Sequence, residues 1–319
     1  MKKLKFLVIG TNFISDKFCL AAKSVSGVEV CAVYSRKKQT GDEFALKYGI
    51  GKVYTDLDIA LLDKEIDAVY VASPTFLHCE QSIKAMRAKK HVLCEKSIAL
   101  SSSELSEMIK VAKEENTVLI EAMRPAFDPA LKLIKSNLSR LGKIRRASLE
   151  FCQYSSRYDK FKEGIIENAF NPEIGNSALS DIGVYPLWLA VELFGEPAHI
   201  SSEKTYLKNG FLGMGISTLN YGDKLVSVVY SKISEGVTPS VIEGEEGSLI
   251  IDKISEPSEI YFKPRKKEKI KLRYIPAENN MVYEISGFKK MTEGKLDYLQ
   301  YLAVTEKVMK AADEIHKSE

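Results

Sequence analysis

The chain lacks any long apolar run and any local cluster of metal-binding residues. No stretch of its 319 residues approaches the roughly 18 consecutive apolar residues that cross a bilayer, so we expect no membrane segment. Its four histidines are far apart and its five cysteines form no C-x-x-C pair, so we expect reduced cysteines and no metal site. The first apolar stretch, Phe6–Ile9, ends at a glycine and predicts a strand instead of a signal peptide, which favours a cytoplasmic protein.

A strong net charge is also absent, which argues against nucleic acid as a partner. Basic residues number 46 and acidic residues 43, so the net charge is +3. A dense basic segment runs from Lys263 to Lys271, and its lysines are typical of a solvated hairpin or an edge strand. The composition, with 45% hydrophobic and 28% charged residues, indicates a globular protein with a buried core.

Up to residue 122, short apolar runs alternate with helical patterns. The runs are apolar throughout, as expected for strands that are covered on both faces. This alternation predicts a Rossmann domain, a doubly wound parallel sheet of the α/β class, over residues 1–122. The predicted strands are Lys5–Ile9, Val28–Tyr34, Ala68–Val71, His91–Cys94 and Val118–Glu121, and the predicted helices are Phe18–Ser24, Gly41–Tyr48, Leu57–Leu62, Cys79–Lys89 and Ser103–Glu115.

From residue 123 onward, strands of alternating polarity dominate. They predict an α+β domain with a large, mostly antiparallel sheet over residues 123–319. Helices are predicted near Ala130–Leu138, near Ala178–Phe194 and from about Leu296 to His316. The predicted strands cover residues 144–154, 199–207, 214–221, 224–231, 240–243, 248–252, 259–262 and 269–274.

The first predicted strand ends at Gly10, where a dinucleotide-binding fold places its phosphate loop. Backbone N–H groups of that loop and of the following helix bind the pyrophosphate. The usual G-x-G-x-x-G is eroded, because Asn12 and Ser15 occupy the second and third glycine positions. We expect Asn12 to tolerate a left-handed backbone and Ser15 to allow close helix packing. An ordinary turn explains this motif equally well, but as a cofactor loop it predicts contacts from Gly10, Thr11, Asn12, Phe13 and Ile14.

The end of the second predicted strand favours NADP. An NAD site places an acidic residue there, about 20 residues after the glycine loop, to bind the ribose 2′-hydroxyl. This chain has Ser35 followed by Arg36, Lys37 and Lys38, a hydroxyl and three cations that suit a 2′-phosphate. We therefore predict NADP as the cofactor, with Ser35, Arg36 and Lys37 as ligands. NAD and a merely solvated turn are the alternatives.

Three further motifs lie at residues 72–78, which read A-S-P-T-F-L-H, at residues 94–97, which read C-E-K-S, and at residues 175–185. They resemble the Gfo/Idh/MocA oxidoreductase family, whose members carry P-N-x-x-H and E-K-P at the first two places. The order and spacing of the motifs and the change of domain type fit this family over nearly the whole chain. Residues 175–185 look like the family segment G-G-x-x-x-D-x-G-x-H/Y. The tyrosine at its end and the segment 121–123 look closest to dimeric dihydrodiol dehydrogenases and NADP-dependent xylose dehydrogenases.

Two residues depart from the family pattern. Thr75 replaces the asparagine of P-N-x-x-H, and Ser97 replaces the proline of E-K-P. That proline commonly follows a cis peptide bond, which any other residue adopts only at a large cost. The bond before Ser97 is therefore expected either to be trans or to be held in an unusual conformation by its surroundings, which affects the pose of Lys96.

The resemblance implies an NADP-dependent oxidoreductase that transfers a hydride between nicotinamide and a sugar, polyol or related hydroxy or carbonyl compound. It implies Tyr185 as the acid/base and Lys96 as the cation that a phenol needs near neutrality. It implies Asp181 as a ligand of a substrate hydroxyl or of Lys96. Asp181 and Tyr185 share a face if their segment is helical, although Pro186 would kink the helix beyond its first turn. The implied contacts also include Ser73, Pro74, Thr75, His78, Glu95 and Lys96 for the cofactor, and Lys96, Asp181 and Tyr185 for the substrate. We expect Arg124 and Tyr158 to line the substrate pocket as well, because they precede or enter the second domain, although a surface position explains Arg124 equally well.

A catalytically inactive NAD(P)-binding sensor is the alternative function, because the glycine loop is eroded and Thr75 and Ser97 depart from the pattern. Lys96 and Asp181 also have ordinary explanations, since a lysine after a strand is usually solvated and an aspartate near a helix start is commonly a cap. The expected partner is a small carbohydrate-like molecule, with no nucleic acid and no membrane. The resemblance further implies a homodimer or higher homo-oligomer through the sheet of the second domain.

Overall fold

A computed structural model describes residues 3–318 and divides the chain into two compact units. The first unit contains the chain up to Arg124 together with Ala277–Ala303. The second contains Pro125–Pro276 and the chain from Val304 onward. Residues 277–303, which fall in the predicted second domain, group here with the first unit. Within the described residues, no helix combines the length and the apolar character needed to span a membrane.

A parallel sheet of six strands forms the first unit. The strands are β1 (Leu4–Ile9), β2 (Val28–Tyr34), β3 (Lys52–Tyr54), β4 (Ala68–Val71), β5 (His91–Glu95) and β6 (Leu119–Ala122). Their order is β3-β2-β1-β4-β5-β6, which confirms the predicted doubly wound sheet. The order of the strands reverses between β1 and β4. Doubly wound sheets bind ligands at such a reversal, at the carboxyl ends of the strands.

Three helices of the first unit begin at a side-chain cap, which is provided by Asn12, Asp56 and Ser101. Ser101 accepts a hydrogen bond from the Glu104 N–H at 3.2 Å and is the N-cap of the fifth helix. The first helix begins at Phe13, five residues before its predicted start at Phe18, because Asn12 caps it. The helices are α1 (Phe13–Ser24), α2 (Lys38–Tyr48), α3 (Leu57–Leu62), α4 (His78–Arg87) and α5 (Ser102–Glu115).

An eight-stranded sheet forms the second unit. Its strands are β7 (Ile144–Cys152), β8 (His199–Tyr206), β9 (Leu212–Asn220), β10 (Leu225–Ser231), β11 (Ser240–Gly244), β12 (Gly247–Ile251), β13 (Ile260–Pro264) and β14 (Ile270–Lys271). They lie in the order β14-β13-β12-β11-β7-β10-β9-β8. Neighbours are antiparallel except β7 and β10, which are parallel, so the predicted mostly antiparallel sheet is confirmed. The basic segment from Lys263 to Lys271 lies in the β13–β14 edge hairpin.

Six further α-helices follow β6 in the described part of the chain. They are α6 (Arg124–Phe127), α7 (Pro129–Asn137), α8 (Tyr158–Lys162), α9 (Val184–Phe194), α10 (Met281–Thr292) and α11 (Leu299–Lys317). Helix α10 was not predicted, and it belongs to the first unit. Its Phe288 ring lies 5.7 Å from that of Phe6, and Asn279 just before it donates a hydrogen bond to the Lys17 carbonyl oxygen at 2.9 Å. The core of the first unit therefore includes a late segment of the chain.

Candidate functional site

Gly10 lies where β1 ends beside β4. Its φ is +102°, and an added Cβ would lie 2.6 Å from the carbonyl oxygen of Ala72, so this position requires glycine. The Asn12 Nδ2 donates a hydrogen bond to the same oxygen at 2.8 Å. The loops after β1 and β4 are thus joined at the reversal of strand order.

Asn12 does not adopt the left-handed backbone that we expected. Its φ of −90° and ψ of 179° are extended. Its Oδ1 accepts hydrogen bonds from the Ile14 and Ser15 N–H groups, at 3.0 and 3.2 Å, which makes it the N-cap of α1. Capping, not backbone freedom, therefore explains the asparagine at the second glycine position. Ser15 at the third position is fully buried, as close packing of α1 requires.

The turn after β2 presents cations to solvent. Ser35 is buried, and its hydroxyl donates a hydrogen bond to the Lys37 carbonyl oxygen at 3.0 Å. Lys38 is paired with Asp42 at 3.0 Å, one helical turn along α2. Arg36 and Lys37 are exposed, and no carboxylate of the described residues pairs with either. The turn therefore offers two cations to a ligand at the carboxyl end of β2.

His78 connects the loop after β4 with the loop after β5. The residue is buried, with its Nδ1 2.9 Å from the Ser97 carbonyl oxygen and its Nε2 2.8 Å from the Ser73 carbonyl oxygen. Burial lowers the pKa of His78, although both carbonyl contacts act to raise it. The Ser73 hydroxyl donates to Gln81 at 2.7 Å, which secures the same loop from α4. His78 therefore supports both loops.

The loop after β5 carries Lys96 on a cis peptide bond. Of the two conformations expected before Ser97, the structure has the cis one. The Ile98 N–H donates a hydrogen bond at 3.0 Å to the carboxylate of Glu121, which is buried on β6. Backbone groups on the carboxyl side of Lys96 are thus held by His78 and Glu121.

Buried carboxyl groups lie on the other side of Lys96. Glu95 accepts a hydrogen bond from the Tyr70 hydroxyl at 2.5 Å and one from the Lys96 N–H at 3.3 Å. Burial raises the pKa of Glu95, and it raises that of the fully buried Glu284 on α10 well above the ordinary value. The charge of Arg124 acts in the opposite direction on both carboxyl groups. Arg124 therefore lies within electrostatic reach of these carboxyls in the first unit.

Asp181 and Tyr185 lie on one helical segment of the second unit. Residues Leu179–Gly183 form a π-helical turn that leads directly into α9. Pro186 falls in the first turn of α9, where a proline is tolerated, and the widened turn lies just before it. The segment is therefore helical throughout, and Pro186 does not interrupt it. Such π turns are frequent at functional sites.

The carboxylate of Asp181 contacts a buried lysine that sequence reasoning missed. The Lys232 Nζ lies 2.8 Å from the Asp181 Oδ2 and donates a hydrogen bond to the Ala169 carbonyl oxygen at 2.6 Å. It also lies 4.9 and 5.3 Å from the ring centroids of Phe170 and Phe211. The Lys232 side chain is 5% exposed and that of Asp181 is 40% exposed.

Two predicted tyrosines belong to aromatic clusters of the second unit. The Tyr158 ring lies 5.6 Å from that of Phe170, which itself lies below Lys232. Tyr185 is buried, and its ring lies 5.7 Å from that of Phe151 on β7. Tyr158 and Asp181 are therefore linked through Phe170 and Lys232.

The first unit fits a dinucleotide at the carboxyl ends of its strands. Gly10 permits close approach of backbone, the N-terminus of α1 favours a negative charge through the helix dipole, and the turn after β2 provides cations. Phe13 is 71% exposed and adds an aromatic face beside the glycine loop. The structure thus gathers at one edge of the sheet the predicted residues Gly10, Thr11, Asn12, Phe13, Ile14, Ser35, Arg36, Lys37, Ser73, Pro74, Thr75, His78, Glu95 and Lys96.

Known proteins match both the sequence and the fold. Residues 4–123 match the model of Gfo/Idh/MocA, an oxidoreductase family with an NAD-binding Rossmann fold. The chain is 39% identical over 295 residues to scyllo-inositol 2-dehydrogenase (NADP(+)) IolU of Bacillus subtilis, covering 92% of this chain and 90% of that protein. It is 36% identical over 314 residues to the uncharacterized oxidoreductase YgjR of Escherichia coli, covering 98% and 96%.

Among solved structures, KijD10 has the same fold. This 3-ketoreductase of Actinomadura kijaniata, in complex with NADP and TDP-benzene, matches with a TM-score of 0.89 at 21% identity, over 99% of this chain and 98% of that one. The family, the fold and the enzyme class predicted from the motifs are therefore confirmed. The chain is a member of the Gfo/Idh/MocA oxidoreductases, enzymes with an NAD(P)-binding Rossmann domain.

Proposed function

We propose that the protein is an NADP-dependent dehydrogenase or reductase that acts on a polyol, a sugar or the corresponding carbonyl compound. The turn after β2 carries the proposal, because Arg36 and Lys37 are exposed where an NAD site has a carboxylate. Two cations beside the buried Ser35 suit a 2′-phosphate. The relative with 39% identity is named as an NADP(+) enzyme of scyllo-inositol, which supports the cofactor and a polyhydroxylated substrate.

The residues of the first unit would hold the cofactor, and the bound nicotinamide would supply hydride exchange with the substrate carbon. The loop from Gly10 to Ile14 would bind the pyrophosphate, and Ser35, Arg36 and Lys37 the 2′-phosphate. The loops that carry Ser73 and Lys96 would bind the nicotinamide half. His78 keeps these two loops in place through its contacts with the carbonyl oxygens of Ser73 and Ser97.

The chain's own groups would handle the proton and the substrate oxygen. The Tyr185 phenol would exchange the proton with the substrate oxygen, and the Lys96 ammonium would polarise that oxygen. Asp181 would accept a hydrogen bond from a neighbouring substrate hydroxyl. Tyr158 and Arg124 are further proposed substrate contacts.

We also propose that the sheet of the second unit forms a homodimer surface. Along β9 and β10, one face carries buried Leu219 and Val228, whereas the opposite face exposes Ile216 and partly exposes Val229. Apolar residues on both faces of a sheet are typical of a sheet that is covered on both sides. Sedimentation velocity of the purified protein tests this proposal, and a monomer at micromolar concentration would contradict it. The cytoplasmic location and the boundary at residues 122 and 123 stay predictions.

Turnover with a panel of polyols tests the function. Absorbance of reduced nicotinamide is followed with scyllo-inositol, aldoses and trans-diols, with NADP and with NAD. We expect turnover of at least one compound and a kcat/KM for NADP at least tenfold above that for NAD. Cofactor binding without turnover across the panel would favour the sensor alternative instead.

Replacing the two exposed cations tests the cofactor assignment. In R36A/K37A we expect kcat/KM for NADP to fall about 10- to 100-fold, because two charge-assisted contacts with the 2′-phosphate are lost, while that for NAD changes less than about threefold. Lys38→Ala is the matched control, since Lys38 is engaged by Asp42. An equal fall with both cofactors would refute the 2′-phosphate site.

Lys96 in the first unit and Tyr185 in the second, the two proposed reacting groups, are each tested by substitution. Lys96→Met and Tyr185→Phe are each expected to lower kcat about 10²- to 10⁴-fold, the contribution of a positioned acid or base. Binding of NADPH, measured by its fluorescence, should change little. Tyr221→Phe is the control, because its hydroxyl donates to the Gly195 carbonyl oxygen at 3.2 Å elsewhere in the second unit. Wild-type rates in K96M and Y185F would refute the assignment.

A further inference from the structure

We infer that Lys232 is a positioning residue for the substrate, which fixes the carboxylate of Asp181 and joins it to the segment Asn168–Phe170. The inference rests on the proposed function, in which Asp181 binds a substrate hydroxyl. The contacts of the Lys232 Nζ with Asp181 and Ala169 are called the Lys232 clamp below.

Burial requires that the ammonium group of Lys232 have partners. A buried charge is costly unless it is paired and hydrogen-bonded. The Asp181 Oδ2 at 2.8 Å provides the opposite charge, and the Ala169 carbonyl oxygen at 2.6 Å provides an acceptor. The rings of Phe170 and Phe211 provide aromatic faces at 4.9 and 5.3 Å. Lys232 therefore belongs to a buried, preorganised cluster, unlike a surface lysine that makes a chance contact.

The exposure of the two partners differs, and the difference assigns their roles. The Lys232 side chain is 5% exposed and its ammonium group is engaged by Asp181 and Ala169, so it offers little surface to a ligand. The Asp181 side chain is 40% exposed, so its carboxylate can reach solvent. Lys232 therefore acts on a substrate through Asp181.

The strand β10 supports both ends of the clamp. Lys232 follows β10 directly, and its N–H donates a hydrogen bond to the Gly213 carbonyl oxygen at 2.9 Å. The π turn that carries Asp181 packs on the same strand, because an added Cβ on Gly183 would lie 2.7 Å from the Tyr230 ring. The carboxylate is thus held against a rigid sheet, which lowers the cost of ordering it when a substrate binds.

The clamp also reaches the loop that carries another proposed substrate contact. The Ala169 carbonyl oxygen, which accepts a hydrogen bond from Lys232, directly precedes Phe170 in the chain. The ring of Phe170 lies 5.6 Å from that of Tyr158. An uncharged side chain at position 232 would release the carboxylate toward water and loosen the segment from 168 to 170. Since a fixed carboxylate accepts hydrogen bonds from hydroxyl groups, the clamp suits a substrate with a hydroxyl beside its reacting carbon.

Replacement of Lys232 tests the clamp by steady-state kinetics with the polyol that wild type uses best. We expect Lys232→Met to lower kcat/KM at least 30-fold, with at least a threefold fall in kcat, while the Kd for NADPH stays within twofold. Lys232→Arg keeps the charge and the donors and should recover activity to within fivefold of wild type. Asp181→Asn and the double variant K232M/D181N should lose about the same activity, because the two residues act as one unit.

Lys204→Met is the matched control. The Lys204 Nζ donates to the carbonyl oxygens of Ile315 and His316 at 3.0 and 3.2 Å in the same unit, and its loss should leave kcat/KM unchanged. If K232M does not fold, as judged by its melting curve, Lys232→Gln replaces it and carries the same expectation.

Three results would overturn the inference: wild-type kinetics in K232M, full additivity of K232M with D181N, or no recovery in K232R. If wild type turns over no compound of the panel, the proposed function fails, and crystal structures of wild type and K232M then decide the clamp. A displaced Asp181 carboxylate and segment 168–170 in K232M would support it. The same conformation in both would overturn it.

Discussion

The two units bury ionisable groups in opposite ways. In the first unit, burial raises the pKa values of Glu95 and Glu284, so it favours the protonated, uncharged form of these carboxyl groups. In the second unit, the buried ammonium group of Lys232 is paired with the Asp181 carboxylate and lies beside two aromatic rings. The first arrangement makes stability depend on pH, and the second makes it depend on a partner. Substitutions at three positions test this contrast by their effects on the free energy of unfolding.

The largest effect is expected at Glu95, where a buried carboxyl has polar neighbours. Glu95→Ala removes the acceptor of the fully buried Tyr70 hydroxyl and leaves a cavity. We expect the free energy of unfolding at pH 7 to fall by about 2–4 kcal/mol, measured by urea titration. Glu95→Gln keeps an acceptor and the shape, so its cost should stay below about 1 kcal/mol. A loss in E95A no greater than that in E95Q would contradict this role of Glu95.

A smaller effect of opposite sign is expected at Glu284. Its pKa is raised in the folded state, because of burial first and the charge of Glu95 second. The native state therefore holds a proton that the unfolded chain releases, so stability is greatest below the ordinary value of 4.5 and falls as pH rises toward the raised pKa.

Glu284→Gln should remove this dependence. At pH 8 we expect the variant to be more stable than wild type by about 1–2 kcal/mol, and at pH 5 the two should differ less. Urea unfolding at both pH values measures the difference. If the free energy of unfolding has the same pH dependence in both proteins, the pKa of Glu284 is not raised in the folded state.

The smallest effect is expected where neither partner is buried. The Arg145 Nη2 lies 2.6 Å from the Glu245 Oε1, and the two side chains are 51% and 50% exposed. Arg145→Ala should change the free energy of unfolding by less than about 0.5 kcal/mol, since water screens the pair. A loss above about 1 kcal/mol would contradict the expectation that an exposed ion pair contributes little to stability.

Much of the fold follows from the apolar pattern of the sequence. Five strands of the first unit lie within one residue of their predicted bounds, because each is a short apolar run between turn residues. The strand β3 was missed because its three residues, Lys52–Tyr54, contain no such run. Helix α10 was missed although Met281, Ile285 and Phe288 recur at helical spacing, since Glu284 interrupts its buried face.

The site was predictable where motifs mark it and not where it depends on distant contacts. Gly10, Lys96 and Asp181 stand in family motifs, and Gly10 has a conformation that requires glycine. Lys232 has no such motif, because a lysine directly after a strand usually points to water. Its role depends on Asp181 and Ala169, which lie far from it in the sequence.

The return of Ala277–Ala303 to the first unit has a consequence for synthesis of the protein. The strands of that unit are complete at Ala122, but its core still lacks Phe288, whose ring lies 5.7 Å from that of Phe6. At typical rates of translation, the ribosome needs roughly 10–30 s to add the intervening chain. During that time the nascent first unit exposes the apolar surface that α10 covers later, so chaperones that bind nascent chains have a natural target there.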